Sequence, residues 1–194
     1  ILLSALLISG MNLAYSTTPA APNYTPVQGQ AGKDVIWIPT PEGLIDKMLT
    51  AANVTHQDKV FDLGAGDGII AITAARKYNA QSVGIEFNPD MAQFARRKVA
   101  EAGLNDKVRI ITGDIFQEDF SSATVVTLYL MPYLNMKLRP TLLKMKPGTR
   151  IVSHAFTMGD WEPDETMSYR HSVGYFWVVP AQVEGAWVMN GMDG

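Results

Sequence analysis

A short apolar strand that runs directly into a glycine-rich loop and then into a helix is the feature that most constrains the fold of this chain. Residues 60–68 read VFDLGAGDG, and an apolar pattern at helical spacing follows over residues 69–78. Glycines between a strand and a helix allow a tight turn, and they let backbone N–H groups approach an anionic ligand at the helix N-terminus. The segment therefore predicts a ligand-binding βα unit.

Strands and helices alternate along most of the remaining chain. Further parallel strands are predicted over residues 82–86, 108–112, 123–130 and 150–156, with an antiparallel pair over residues 172–181 and 183–189. The parallel strands are continuous apolar runs, which is typical of a sheet covered by helices on both faces. Helices are predicted to start at Thr40-Pro41-Glu42, where the Thr40 hydroxyl would act as the cap, and at Asn88-Pro89-Asp90. The predicted fold class is α/β: a doubly wound, Rossmann-like sheet, mostly parallel with a C-terminal antiparallel strand pair.

The N-terminal part of the chain differs from the rest in composition. Residues 1–14 begin with the apolar run ILLSALLI and have the character of a truncated signal peptide or membrane anchor. Residues 15–34 form a polar, proline-rich linker, and residues 35–194 form the folded domain. This organisation predicts a protein that is membrane-associated or exported through its N-terminal segment.

Charge and cysteine content exclude several kinds of site. Sixteen Lys and Arg against nineteen Asp and Glu give a net charge of −3 over 194 residues, so no nucleic-acid partner is expected. The chain has no cysteine, which excludes thiol nucleophiles and cysteine-ligated zinc. The histidines His56, His154 and His171 lack metal-ligand spacing, and no metal site is predicted.

The spacing of the glycine loop indicates which nucleoside it binds. The dinucleotide fingerprint has a third glycine three positions after the second, where this chain has Ile69; its third glycine is Gly68. Asp62 within the strand would repel a pyrophosphate, but it suits a ligand that carries an ammonium and a sulfonium. Glu86, 22 residues after Gly64, can accept hydrogen bonds from both hydroxyls of a ribose. These features favour S-adenosylmethionine over a nicotinamide dinucleotide.

The same motifs resemble those of class I S-adenosylmethionine-dependent methyltransferases. Residues 60–68 look like the first motif of that family, GIEFNP at residues 84–89 looks like the second, and GDIF at residues 113–116 is similar to the segment whose acid meets the adenine amino group. The resemblance implies that the loop glycines cradle the methionine part of the cofactor, that Glu86 binds the ribose, and that Asp114 with Ile115 binds the adenine. The predicted cofactor-binding residues are Asp62, Gly64, Gly66, Gly68, Glu86, Asp114 and Ile115.

Four later segments resemble one subgroup of these enzymes. They are WIPTP at residues 37–41, LYLMP at residues 128–132, KPGTRIVS at residues 146–153 and WEP at residues 161–163. They recur in order in the small membrane-associated lysine methyltransferases of mitochondria, which modify the adenine nucleotide translocase and the c-ring protein of the ATP synthase, and in bacterial relatives. The resemblance implies N-methylation of a protein lysine. Methylation of a small molecule, or S-adenosylmethionine binding without transfer, stays open as an alternative.

Residues that follow the fourth strand are the predicted acceptor side, because methyl transfer requires a positioned, neutral nucleophile. Amino-methylating enzymes of nucleic acids often have Asn or Asp, two prolines and an aromatic residue there, whereas residues 130–133 of this chain read LMPY. An adenine or glutamine acceptor is therefore disfavoured. Tyr129, Tyr133 and Asn135 are the predicted catalytic residues, on the acceptor side.

Other aromatic and polar residues have more than one interpretation. Trp37 could close over the methionine side of the site or pack structurally, and His154 in the fifth strand is interpreted as a core histidine. Residues 160–162, Asp-Trp-Glu, could form a rim that attracts a lysine side chain or an ordinary solvated loop.

Overall fold

The computed structural model describes residues 24–30, 32 and 36–181. The helices in this part of the chain are α1 (Glu42–Ala51), α2 (Ile69–Tyr78), α3 (Pro89–Glu101) and α4 (Pro132–Leu142). The strands are β1 (Lys59–Leu63), β2 (Gln81–Glu86), β3 (Val108–Thr112), β4 (Val125–Leu128), β5 (Arg150–His154), β6 (Glu165–Tyr169) and β7 (Ser172–Val178). They form one sheet in the order β3-β2-β1-β4-β5-β7-β6.

The sheet is parallel from β1 to β5, and β7 runs antiparallel to both β5 and β6. This confirms the predicted doubly wound α/β fold with an antiparallel pair at its C-terminal end. The strand order reverses at β1, which lies between β2 and β4. Leu63 at the end of β1 is in register with Ile85 of β2 and with Leu128 of β4, so the carboxyl ends of the three strands lie level. In such sheets a crevice for ligands opens at this point.

Apolar side chains cover both faces of the sheet, as the continuous apolar strands require. On one face, Leu134 and Leu138 of α4 pack with Phe61 and Leu128 in a buried cluster that also contains Trp177. On the other face, the apolar side of α1 packs with α2 and with strand residues; its members include Leu44, Ile45, Met48, Leu49, Val60, Val125 and Val152. The central strands are thereby held between two layers of helices.

The antiparallel pair does not consist of the predicted segments. Its members are β6 and β7, joined by a tight turn in which Arg170 has a φ of 54°. In β6 only Met167 is buried, so its largely polar sequence gives no strand signal of its own. The strand predicted over residues 183–189 lies outside the described residues.

The start of α1 also differs from the prediction. Pro41 is the N-cap of the helix, and no side chain caps it. The Thr40 hydroxyl lies 3.1 Å from Nδ1 of His154 instead, so the sheet rather than the helix uses this hydroxyl. The predicted cap at Asn88 is correct, because its side chain accepts hydrogen bonds from the backbone N–H groups of Asp90 and Met91.

The segment predicted to be a signal peptide or anchor, residues 1–14, also lies outside the described residues. Among the helices that the structure describes, none is both long and apolar enough to cross a bilayer.

Candidate active site

A cavity of about 300 Å³ opens at the carboxyl ends of β1, β2 and β4, where the strand order reverses. Most residues around it follow directly after a strand. Its lining includes Trp37, Thr40, Asp62, Gly64, Gly66, Asp67, Glu86, Phe87, Asn88, Asp114, Ile115, Phe116, Tyr129, Leu130 and Phe156. Six of the seven predicted cofactor-binding residues are in this lining, together with one of the three predicted catalytic residues.

The glycine loop approaches its neighbours too closely for any side chain at two positions. A Cβ on Gly64 would lie 2.7 Å from Leu130, and a Cβ on Gly66 would lie 2.6 Å from the indole nitrogen of Trp37. Both glycines have positive φ angles, of 79° and 53°. The loop therefore forms a thin floor to the cavity, with Trp37 placed against it.

Gly68, the third loop glycine, is not in the cavity lining. It is the N-cap of α2, and a Cβ there would lie 3.3 Å from Ala95 of α3. Its position serves the close packing of α2 on its neighbours rather than contact with a ligand. The predicted direct role in cradling the cofactor therefore does not match its placement.

Glu86 ends β2 with its carboxylate held by the backbone. Its Oε2 accepts a hydrogen bond of 2.8 Å from the N–H of Gly66, and its Oε1 accepts one of 2.8 Å from the N–H of Asn88. Burial raises the pKa of the Glu86 carboxyl above its usual value, against the opposing effect of these N–H donors. The side chain is fixed where it faces the cavity.

Asp62 presents an unsatisfied carboxylate oxygen at the cavity. The residue is 2% exposed; its Oδ1 accepts a 2.6 Å hydrogen bond from the Thr127 hydroxyl, whereas its buried Oδ2 has no partner among the described residues. Burial raises the pKa of Asp62 to about 7, and the nearby carboxylates of Asp67 and Glu86 act in the same direction. A buried acceptor without a partner is costly, and a cationic ligand group would satisfy it.

An ion pair offsets part of this negative charge. Asp67 lies in the cavity lining, and its Oδ2 is 2.6 Å from the ammonium of Lys98 on α3. Its other carboxylate oxygen accepts a hydrogen bond from the N–H of Ile69, in the first turn of α2. The pair ties the glycine loop to α3.

Asp114, Ile115 and Phe116 lie together in the cavity lining after β3. Oδ1 of Asp114 accepts a hydrogen bond of 3.0 Å from the N–H of Phe116, which fixes the turn. The ammonium of Lys137 lies 3.8 Å from the centre of the Phe116 ring. The predicted adenine-binding residues are therefore placed side by side, on the β3 side of Glu86.

Part of the predicted linker contributes to the cavity. We name residues 24–30 the N-terminal strap. Its Gly29 N–H donates to the carbonyl of Trp37, and the N–H of Trp37 donates to the carbonyl of Gln30. At its other end, the carbonyl of Tyr24 accepts a 2.8 Å hydrogen bond from Arg97 of α3. Gln30 itself lines the cavity, so the strap is part of the site and not only a tether.

The three predicted catalytic residues are separated by the structure. Tyr129 lines the cavity, and in the part of the chain described its hydroxyl forms no hydrogen bond. Tyr133 is 54% exposed and lies outside the lining. Asn135 is fully buried, and its amide donates to Ser153 Oγ and to the carbonyls of Phe156 and Thr157. The structure thus supports direct contact with an acceptor for Tyr129 alone, because the Asn135 amide is occupied in bracing the chain after β5.

His154 and Phe156 are the residues behind and beside Tyr129 that the sequence pattern did not assign to the site. The His154 ring stacks on Tyr129 with their centroids 3.8 Å apart, and Phe156 lines the cavity. Between them, Ala155 has a φ of 68°, a strained conformation for a residue with a side chain. Residues 160–162 lie outside the lining, and Asp160 forms an ion pair with Arg139.

Comparison with known proteins agrees with this arrangement. The family model of the ANTKMT methyltransferase domain matches residues 62–165. A protein-lysine N-methyltransferase of Saccharolobus islandicus is 42% identical over 135 residues, which are 69% of this chain and 84% of that protein. The chain belongs to the ANTKMT methyltransferase domain family.

Two further relatives bear on the activity. The crystal structure of an RNA methyltransferase from Salinibacter ruber in complex with S-adenosylhomocysteine is 47% identical, with a TM-score of 0.74 over 77% of this chain and 98% of that chain. The mouse enzyme that is named as the lysine N-methyltransferase of the ATP synthase c-ring protein is 30% identical over 109 residues, and this chain spans 42% of its length.

The chain is an S-adenosylmethionine-dependent methyltransferase. The cavity suits this cofactor, since Asp62 offers an unsatisfied carboxylate oxygen and Gly64 and Gly66 leave room along the loop.

Proposed function

We propose that this methyltransferase N-methylates a lysine side chain of a protein. The observation that carries the proposal is the composition of the cavity after β4 and β5, where Tyr129, Leu130 and Phe156 provide aromatic and apolar surface and no carboxamide or carboxylate. A planar base would need hydrogen-bond partners there, whereas an aliphatic amine needs an apolar channel. The relatives from Saccharolobus islandicus and mouse are named as lysine methyltransferases, which supports the same acceptor.

The cofactor is proposed to lie across the ends of three strands. Asp62 would receive its ammonium group, Glu86 its ribose hydroxyls, and Asp114 with Ile115 its adenine. Bound S-adenosylmethionine supplies an electrophilic methyl group on a sulfonium. The residues of the chain then have to orient the two reactants and exclude water.

Tyr129 is the residue proposed to meet the acceptor amine. A lysine must be neutral to act as a nucleophile, and burial against Tyr129, Leu130 and Phe156 lowers the pKa of its ammonium group. The Tyr129 hydroxyl, which forms no hydrogen bond within the described residues, can accept one from the amine and direct its lone pair. The methyl-transfer rate should therefore rise with pH across about 7 to 9, below the reference pKa of lysine.

RNA is the second candidate acceptor, because the 47% identical structure is that of an RNA methyltransferase. Two observations favour protein over RNA. The net charge is −3, which gives no general attraction to a phosphate backbone. Residues 130–133, LMPY, also lack the amide or acid that amino-methylating enzymes of nucleic acids often have after the fourth strand.

The acceptor can be identified by following label from methyl-tritiated S-adenosylmethionine into a cell extract separated into membrane and soluble fractions. We expect protease-sensitive, ribonuclease-resistant label, and methylated lysine by mass spectrometry. Label in RNA or in small solutes would overturn the lysine proposal. Glu86→Ala should abolish incorporation through loss of cofactor binding, whereas Glu101→Ala, an exposed glutamate on α3, is the matched control.

We also propose that residues 1–14 attach the enzyme to a membrane, since the run ILLSALLI is apolar throughout except for one serine. Expression of the full chain and of residues 15–194, followed by sedimentation of membranes, tests this. We expect the full chain in the pellet and the shorter form in the supernatant. Equal partitioning of the two would contradict the proposal.

A further inference from the structure

His154 is a buried polar residue that the proposed reaction does not use. It ends β5, is 4% exposed, and lies outside the cavity lining. Its imidazole ring stacks against Tyr129, with the ring centroids 3.8 Å apart and the planes inclined by 33°. The ring of Tyr129 therefore has cavity on one side and the imidazole on the other.

The imidazole is itself held in place from α1. Its Nδ1 is 3.1 Å from the hydroxyl of Thr40, the residue before the N-cap of that helix. Burial lowers the pKa of His154 to about 4, so the ring is neutral at physiological pH and brings no positive charge to the acceptor. What it can supply is a flat, fixed surface.

The turn after His154 is built to keep that surface in place. Ala155 has a φ of 68°, and its N–H donates to the carbonyl of Val173 on β7. The buried amide of Asn135 then donates to the carbonyls of Phe156 and Thr157. Hydrogen bonds from two other elements thus maintain a backbone conformation that the sequence alone disfavours.

We propose that His154 is a positioning residue for methyl transfer, which fixes the Tyr129 ring so that its hydroxyl points to the acceptor amine. For the identity of the acceptor, this rests on the lysine proposal above. For the geometry, it rests on the stacked pair and on the hydrogen bond to Thr40. His154 acts through Tyr129 and does not touch the reactants.

The first test is a double-mutant cycle between the two rings. Rates are measured with the extract fraction that takes label, and cofactor affinity by calorimetry. We expect Tyr129→Phe and His154→Leu each to lower kcat at least tenfold while leaving cofactor Kd within twofold. In the Tyr129→Phe background, His154→Leu should have less than a twofold further effect. A full additional loss in that background would overturn the proposal, because it would indicate a general structural role.

A rescue variant separates ring stacking from imidazole chemistry. His154→Phe combined with Thr40→Val keeps an aromatic surface and removes both partners of the hydrogen bond together, so that no polar group is left unsatisfied. This pair should retain activity within threefold of the wild type. If it is as inactive as His154→Leu, the imidazole has a role that stacking does not explain, and the proposal is overturned. Tyr78→Phe, at the end of α2, is a matched control that should not change kcat.

A measurement without any acceptor keeps the two proposals separable. In protein labelled with ¹³C-tyrosine, the Tyr129 ring signal is assigned by its loss in Tyr129→Phe. We expect His154→Leu to shift this signal and to speed ring flipping, and the rescue pair to restore both. An unchanged signal in His154→Leu would overturn the positioning role. Label found in RNA or small solutes would overturn the lysine proposal alone, and the same cycle would then be measured with that acceptor.

Discussion

The Thr127 hydroxyl donates a 2.6 Å hydrogen bond to Oδ1 of Asp62 across the β1–β4 pair, and within the described residues the other carboxylate oxygen of Asp62 is left buried and unpartnered at the cavity. Burial and the neighbouring Asp67 and Glu86 carboxylates raise the pKa of Asp62 to about 7. The side chain therefore carries a proton over much of the acidic range. A cationic ligand favours its ionised form, so cofactor binding and release of this proton are coupled.

Cofactor affinity should consequently depend on pH. Below about pH 7 the ammonium group of the cofactor has to displace the Asp62 proton, so affinity should rise from about pH 5.5 to about pH 7 and then level off. The slope should approach about tenfold per pH unit at its acidic end. Calorimetry of S-adenosylhomocysteine across this range measures it. Asp62→Asn should bind more weakly and without the slope; an equal slope in that variant would assign the proton to another group.

The close approach of Gly66 to Trp37 makes a second prediction. Gly66→Ala would place a Cβ 2.6 Å from the Trp37 indole nitrogen, so Trp37 must leave the cavity lining or the loop must move. We expect cofactor affinity to fall at least tenfold, about 1.4 kcal/mol or more. Gly148→Ala is the matched control, because Gly148 also has a positive φ, of 86°, but has open space around it. Affinity that falls equally in both variants would indicate backbone strain as the cause.

The N-terminal strap should contribute to cofactor affinity. Arg97→Ala removes the hydrogen bond to the Tyr24 carbonyl that holds one end of the strap on α3, while Gln30 and Trp37 at the other end line the cavity. Loss of one charge-assisted hydrogen bond is worth about 1.5 kcal/mol or more, and we expect roughly a tenfold weaker Kd in calorimetry. Arg76→Ala, an exposed arginine on α2, should leave the Kd unchanged. An unaltered Kd in Arg97→Ala would show that the strap does not need this anchor.

The cofactor side of the site was more predictable from the sequence than the acceptor side. Strand-end acids and loop glycines are local features, so Asp62, Glu86 and Asp114 could be placed from the topology alone. The placement of Tyr133 and Asn135 depends on the start of α4, which turns one outward and the other into the core. Asn135 lies three and seven residues before the buried Leu138 and Leu142, and this spacing indicates a core position.

The N-terminal strap could not have been predicted in the same way. Its hydrogen bonds to Arg97 and Trp37 use backbone groups of Tyr24, Gly29 and Gln30, which no side-chain pattern reveals. The Thr40 hydroxyl shows a related limit. A threonine before a proline and a glutamate has the local signature of a helix cap, and only the fold brings a histidine of β5 close enough to bind it.

Asp58, at the opposite end of β1 from the cavity, should matter for stability and not for cofactor binding. Burial alone would raise its pKa, but hydrogen bonds from Thr124 and Arg150 outweigh this and hold the pKa below its usual value. The stability that Asp58 contributes is thus present above about pH 4 and is lost as pH falls through its folded pKa. Asp58→Ala leaves the guanidinium of Arg150 partly buried and unpaired, and should lower the free energy of unfolding by about 3 kcal/mol in urea denaturation. Asp46→Ala, which breaks an exposed pair with Lys77, should change it little.

Asn135 offers the sharpest distinction between a supporting and a reacting residue. Its amide donates to Ser153 Oγ and to the carbonyls of Phe156 and Thr157, so Asn135→Ala leaves these buried acceptors without their donor. We expect the free energy of unfolding to fall by roughly 2 to 4 kcal/mol, with cofactor Kd unchanged and kcat reduced through movement of Phe156. Asn135→Asp, similar in size but without the amide donors, should be at least as destabilising above neutral pH. A variant that keeps full stability and loses only kcat would instead show that Asn135 contacts the acceptor, and the predicted catalytic assignment would stand.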